Sequence, residues 1–98
     1  MAYAFNDDKT KYSLDPKQIM GGTDLNDLVD YGSYYYLTTT GDTIGNYPET
    51  SLSNFTLLVL KKGEQVNQLL INNLNNLYYR VQFTTGWQPW QKVTHTAV

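Results

Sequence analysis

Between Ser33 and Val93 the chain alternates apolar and polar positions with a period of two, broken by short polar turns. SYYYLT (33–38) reads as a first strand, NFTLLVLKK (54–62) as a second and EQVNQLLIN (64–72) as a third. LYYRVQFT (77–84) is the clearest: Leu77, Tyr79, Val81 and Phe83 point one way, and Tyr78, Arg80 and Gln82 the other. The chain then returns as WQPWQKV after Thr85-Gly86. Turns as short as Lys62-Gly63-Glu64 and NNLNN require antiparallel pairing. The stretch TTGDTIGNYPETSLS (39–53), with its Gly, Asp, Asn and Pro, is the longest loop. Upstream, TDLNDLVDYG places Leu25, Leu28 and Val29 at helical spacing between Thr23, an N-cap residue type, and Gly32. Asp15-Pro16 predicts a further helical turn through Ile19, stopped by Gly21-Gly22. The first fifteen residues show neither period. The expected fold is therefore mainly β with a minor α part (α+β). It is one antiparallel sheet of four to five strands, a short N-terminal helical turn and an extended N-terminal arm. Residues 1–20 form the arm and 21–94 the domain.

One strand breaks the alternation. Phe55, Leu57 and Val59 make one apolar face of the second strand, and Leu58 and Leu60 make the other apolar too. A strand apolar on both faces needs a cover on each. Either the helical turn or arm lies over the second face, or another copy of the chain does.

Composition narrows the function classes. At 98 residues, 41% hydrophobic and 14% aromatic, the chain supports one compact domain. Its net charge of −2, without a basic cluster, argues against nucleic acid as a partner. The apolar run Leu57–Leu60 is far too short for membrane insertion. There is no cysteine, and the single histidine, His95, sits in a polar tail, so neither a Ser-His-Asp nor a Cys-His arrangement can be assembled. Asp42 and Glu49 are the only carboxylate pair that could meet across the long loop, and loop carboxylates are normally just solvated. Asp24, Asn26, Asp27 and Asp30 approach calcium-ligand spacing but lack the glycine of the sharp turn. The expectation is a non-enzyme without cofactor or metal.

The polar side chains are instead mostly Asn, Gln, Thr and Tyr, which suit uncharged, hydrogen-bonding recognition surfaces and exposed sheet faces alike. Trp87 and Trp90 stand three apart, on opposite sides of an unbroken strand. A kink at Pro89, which cannot donate to a ladder, would bring both to one side, where their chief role would be to close the core. For a ligand, Tyr78, Arg80 and Gln82, joined across the sheet by Asn67 or Tyr35 and by an exposed edge of Trp87, would offer an aromatic surface, a forked donor and amides to polyols and anionic groups. The loop at Asn46-Tyr47 is the alternative location.

The order DLNDL (24–28), GSYYY (32–36), a proline-bearing loop, TLLVL (56–60), VNQLLI (66–71), LYYRVQF (77–83) and GWQPWQKV (86–93) resembles the pyocin-knob family. These are domains of phage and R-type pyocin tail fibres and related receptor-binding proteins. The resemblance covers residues 22–93, and its pattern falls on Asp24, Leu25, Asn26, Gly32, Tyr34, Leu57, Val59, Gln68, Tyr79, Arg80, Trp87 and Trp90. It implies a homotrimeric virion component of a tail tip or fibre. Its partners would be other phage tail proteins and a bacterial surface saccharide. The alternative is a structural assembly or adaptor module of a virion that binds no glycan.

Overall fold

The computed structural model describes residues 15–98. They fold around one mixed sheet of seven strands: β1 (Lys17–Gln18), β2 (Gly32–Tyr36), β3 (Phe55–Lys62), β4 (Gln65–Asn72), β5 (Leu77–Phe83), β6 (Gly86–Trp87) and β7 (Gln91–Val93). β2 to β5 run in sequence order as an antiparallel meander. β1 joins the β2 edge in parallel, Lys17 opposite Tyr34. The outer edge of β5 is shared: β6 pairs with Gln82 and Phe83, and β7 with Leu77 to Tyr79.

The protein is therefore mainly β, as its alternation predicts, with more strands than expected. The two extra strands are two and three residues long, too short to leave a periodic signal. Asp15-Pro16 does not open a helical turn. Lys17 and Gln18 enter the sheet instead, and Ile19 is buried in the core with its amide bonded to the Tyr35 carbonyl. The helix expected at 23–29 reduces to a 3-10 turn, Leu25–Asp27, the only helix among the described residues. Asp24 rather than Thr23 caps it, its carboxylate accepting the Asn26 amide at 2.8 Å. The N-terminal arm lies mostly outside the described residues.

Two turns fix the register. Gly63 (φ 60°) takes the left-handed conformation between β3 and β4. Between β4 and β5, the Asn72 side chain accepts the amides of Leu74 and Asn76, and Asn75 (φ 64°) adopts the left-handed region that Asn tolerates.

Among the described residues the core lies on one face only. Tyr34 and Tyr36 from β2, Phe55, Leu57 and Val59 from β3, Val66 and Leu70 from β4 and Tyr78 from β5 point into it. Leu25, Ile44, Tyr47 and Leu52 come down from above. The cover is thus the 3-10 turn and the long loop, which together form a second layer without strands. Each fully buried side chain, such as Leu25, Leu57 or Leu70, contributes roughly 1.5–3 kcal/mol.

This arrangement inverts the face assignment of β5. Tyr78 and Arg80 are buried under the loop layer and Gln82 is half-buried, whereas Tyr79 and Phe83 are 45% and 49% exposed. Leu58, Leu60, Leu69, Ile71, Leu77 and Val81 share the face of Tyr79 and Phe83. None of them joins the buried core. The two-sided apolar character of β3 therefore extends across β4 and β5.

Candidate functional site

Polar groups on the buried face are tied to the layer above them. Gln68, fully buried, donates from Nε2 to the carbonyls of Leu25 (2.7 Å) and Leu28 (2.9 Å), pinning the 3-10 turn to β4. Its Oε1 accepts from Arg80 Nε at 2.8 Å, which fixes the guanidinium. Glu49 accepts from the Tyr78 hydroxyl and from Asn76 Nδ2. Asp42 accepts from the Tyr36 hydroxyl at 2.6 Å. Asp42 and Glu49 are thus each engaged in strapping the long loop to the sheet, and both line a small pocket of about 180 Å³ within that loop.

The end of the sheet nearest β6 carries the cleft. β6 ends at Trp87 and β7 begins at Gln91, so Gln88, Pro89 and Trp90 bulge out of the broken edge strand. Gln88 keeps one ladder bond, its amide to the Val81 carbonyl at 2.8 Å, and Pro89 has no amide hydrogen to offer. The bulge brings both indoles to the same side, as the spacing requires. Their rings lie over the Arg80 guanidinium, with Trp87 at 4.0 Å and Trp90 at 4.4 Å from ring centroid to Cζ. Their N–H groups reach the covering layer: Trp87 Nε1 donates to the Asn26 carbonyl at 3.4 Å and Trp90 Nε1 to the Asn46 carbonyl at 2.7 Å. Both indoles are half-buried against the core. They close the sheet and also present ring surface.

The loop is brought to this place by close backbone approach. The Leu25 amide donates to the Gly45 carbonyl and the Gly45 amide to the Thr23 carbonyl, a parallel bridge beside Asp24. A Cβ on Gly45 would stand 3.0 Å from the Asp24 side chain, so a larger residue there would have to push Asp24 back by a few tenths of an ångström. The next residue, Asn46, is left-handed (φ 59°) and donates from Nδ2 to Asp24 Oδ1 at 2.7 Å. That bond and the Asn26 amide hold the Asp24 carboxyl below its ordinary value.

Asn26, Asn46, Arg80, Gly86, Trp87, Gln88, Pro89 and Trp90 line a cleft of about 610 Å³. Its lining holds one charge, Arg80, which is 4% exposed. Burial pushes the guanidinium pKa down to about 10, opposed by the nearby charge of Asp24, so it remains a cation at neutral pH. Asp24, capping the turn and holding Asn46, is not one of three or more gathered metal-ligating side chains; among the described residues there is no such group.

Of the residues expected to form a site, Arg80 and Trp87 meet in this cleft. Gln82 pairs with Trp87 on the same face, at the edge of the cleft. Tyr78 is buried two residues away beneath Glu49. Tyr35 and Asn67 belong to the other face. Asn67 pairs with Val81, and it is Gln68 that stands beside Arg80, so one step of register separates Asn67 from the cleft, while Tyr35 lies on β2, with β3 and β4 between it and β5. Asn26, Asn46, Gln88, Pro89 and Trp90 were not anticipated together as a ligand surface. Only the alternative placement at Asn46-Tyr47 and the Trp-Gln-Pro-Trp kink pointed toward them.

No family model, no curated protein and no solved structure matches this chain.

Proposed function

We propose that the chain is a non-enzymatic, knob-like module of a phage or prophage tail that helps recognise a bacterial surface saccharide through the Trp87–Trp90 cleft. The observation that carries this reading is the cleft itself: two indole rings gathered over Arg80, with the amide side chains of Asn26, Asn46 and Gln88 around them. A mostly apolar concavity with a few fixed polar groups is the usual form of a small-ligand site. The resemblance to the pyocin-knob family supports the virion setting and the trimer.

The open sheet face favours a second role alongside it. Leu58, Leu60, Leu69, Ile71, Tyr79, Val81 and Phe83 form a mostly apolar surface across β3, β4 and β5, interrupted by Thr56 and Asn67 and bordered by Lys62, that no other described residue covers into a core, and monomers rarely leave such contiguous surfaces open. With Lys62 as its one β3 charge, at the rim beyond Leu60, this face is the proposed contact of a homotrimer. If the cleft binds no sugar, the chain is an assembly module of the virion working through this face alone.

Trp87 and Trp90 are the only tryptophans in the chain, so intrinsic fluorescence reports on the cleft directly. The expected result is a glycan-array hit whose saccharide also shifts the tryptophan emission on titration, from a protein that light scattering weighs as three chains. An array without hits, or hits that leave the emission unchanged, overturns the site. A one-chain mass at micromolar concentration overturns the trimer.

A further inference from the structure

Among the described residues, two buried side-chain polar atoms lack any hydrogen-bond partner: Arg80 Nη2 and Asn26 Oδ1. Both residues line the same cleft. Buried polar atoms are nearly always paired, and buried charges more strictly so, because an unmet group carries its full desolvation cost. One of these atoms is a cationic donor and the other a neutral acceptor. A partner completing the pair brings an acceptor, most favourably a negatively charged one, together with a hydroxyl or amide donor.

The surroundings of Arg80 meet its Nε and its faces but not Nη2. The two indoles cover its faces, and its Nε is satisfied by the neutral amide of Gln68. The nearest carboxylate that acts on it, Asp24, spends its Oδ1 on the Asn26 amide and on Asn46 Nδ2, and makes no hydrogen bond to the guanidinium. No acidic side chain lines the cleft. Aromatic faces compensate a cation through their quadrupoles but supply no in-plane acceptor. A carboxylate or phosphate does, in the geometry that guanidinium groups favour.

We propose that the cleft takes an acidic saccharide, its carboxylate or phosphate pairing with the Arg80 guanidinium edge and a neighbouring hydroxyl donating to Asn26 Oδ1. This rests on the saccharide reading above and narrows its substrate class. Both unpartnered atoms are buried, so binding requires an indole to shift. Trp87, whose N–H bond to the covering layer is 3.4 Å against 2.7 Å for Trp90, is the less firmly tied ring.

The test is a glycan array of matched pairs: galacturonan against galactan oligomers, and galactose oligomers with and without phosphate. Hits are followed by fluorescence titration at low and high salt. The expected result is at least tenfold tighter binding of the acidic member of a pair, with the preference shrinking as salt rises. The two acidic arms tell carboxylate from phosphate. Arg80→Lys keeps the charge but removes the Nη edge, and should erase most of that preference. Should it fail to fold, Gln88→Glu, which places an anion on the exposed rim, should lower the ratio of acidic to neutral binding at least fivefold, whatever it does to binding as a whole. Equal binding of charged and neutral members, or an acidic preference indifferent to both variants, overturns the assignment and leaves saccharide binding standing. Binding to no member of the array overturns both.

Discussion

The two faces of this sheet are built on opposite plans. The face under the loop layer buries polar groups (Gln68, Asn72, Arg80 and the Tyr78 hydroxyl) together with its Leu, Val and Phe side chains. The far face is the greasier one along β5, yet Tyr79 and Phe83 are close to half exposed there. Hydrophobicity alone did not choose which side the loop would cover. The loop and the 3-10 turn bring down carbonyls, a carboxylate and amides that need partners, and only the face with Gln68, Asn72, Tyr78 and Arg80 supplies them. A cover made of strandless chain selects the side that can satisfy its backbone, while a cover of apolar side chains suits the other.

Substitutions on the covered face should break that comparison first. Gln68→Ala strands two carbonyls of the turn and Arg80 Nε at once, so the expected loss is about 3–5 kcal/mol, measured by chemical denaturation. A loss below about 1 kcal/mol would mean that the turn is held by packing alone. Trp90→Ala removes a half-buried ring and the indole bond to Asn46, with an expected cost of about 2–3 kcal/mol in the same measurement. An unchanged melting temperature would make this tryptophan a ligand platform without a structural part.

The smallest effect concerns the loop strap and depends on pH. Burial alone would raise the Glu49 carboxyl, but hydrogen bonds from Tyr78 and Asn76 outweigh it and hold the group below its ordinary value of 4.5. The folded chain therefore binds this proton less readily than the unfolded one. Its stabilisation is complete above pH 4.5 and fades as pH falls through the lower folded value. Glu49→Gln should cost about 1–2 kcal/mol at pH 7, and the gap to the parent protein should close on acidification. At the other end, burial and the Glu49 charge push the Tyr78 hydroxyl up to about 12. Stability present below pH 10 should thus decline as pH rises toward 12. A gap that stays constant from pH 7 to pH 3 would separate the strap from the charge.

Strand positions were legible because alternation of β-branched and aromatic residues is a local property, and β3, β4 and β5 lie within a residue or so of where that period puts them. The need for a kink at Pro89 was legible for the same reason: two rings three apart cannot share a side otherwise. The choice of buried face was not, because it depends on hydrogen bonds between Gln68 and a turn 40 and 43 residues away. The cleft shared this fate. Asn26, Asn46 and Gln88 come from three separate segments, and nothing in the local pattern around Asn46 announces that its carbonyl will receive the Trp90 indole. Arg80 and Trp87 could be picked out by chemistry, while Asn67 was misplaced by a single step of register and Tyr35 by the strand order, which puts β3 and β4 between it and β5.

The bulge at Gln88–Trp90 also decides how copies of this chain can meet. A continuous edge strand presents a row of free amides and carbonyls to which a neighbour's strand can add, the route to cross-β stacking. Here the outer edge of β5 is capped by two short pieces separated by a proline, and at the opposite side of the sheet β1 offers only the two residues Lys17 and Gln18. Neither edge supports more than a stub of intermolecular ladder. Association of this domain is thereby steered away from open-ended, fibre-like growth and toward closed contacts made face to face.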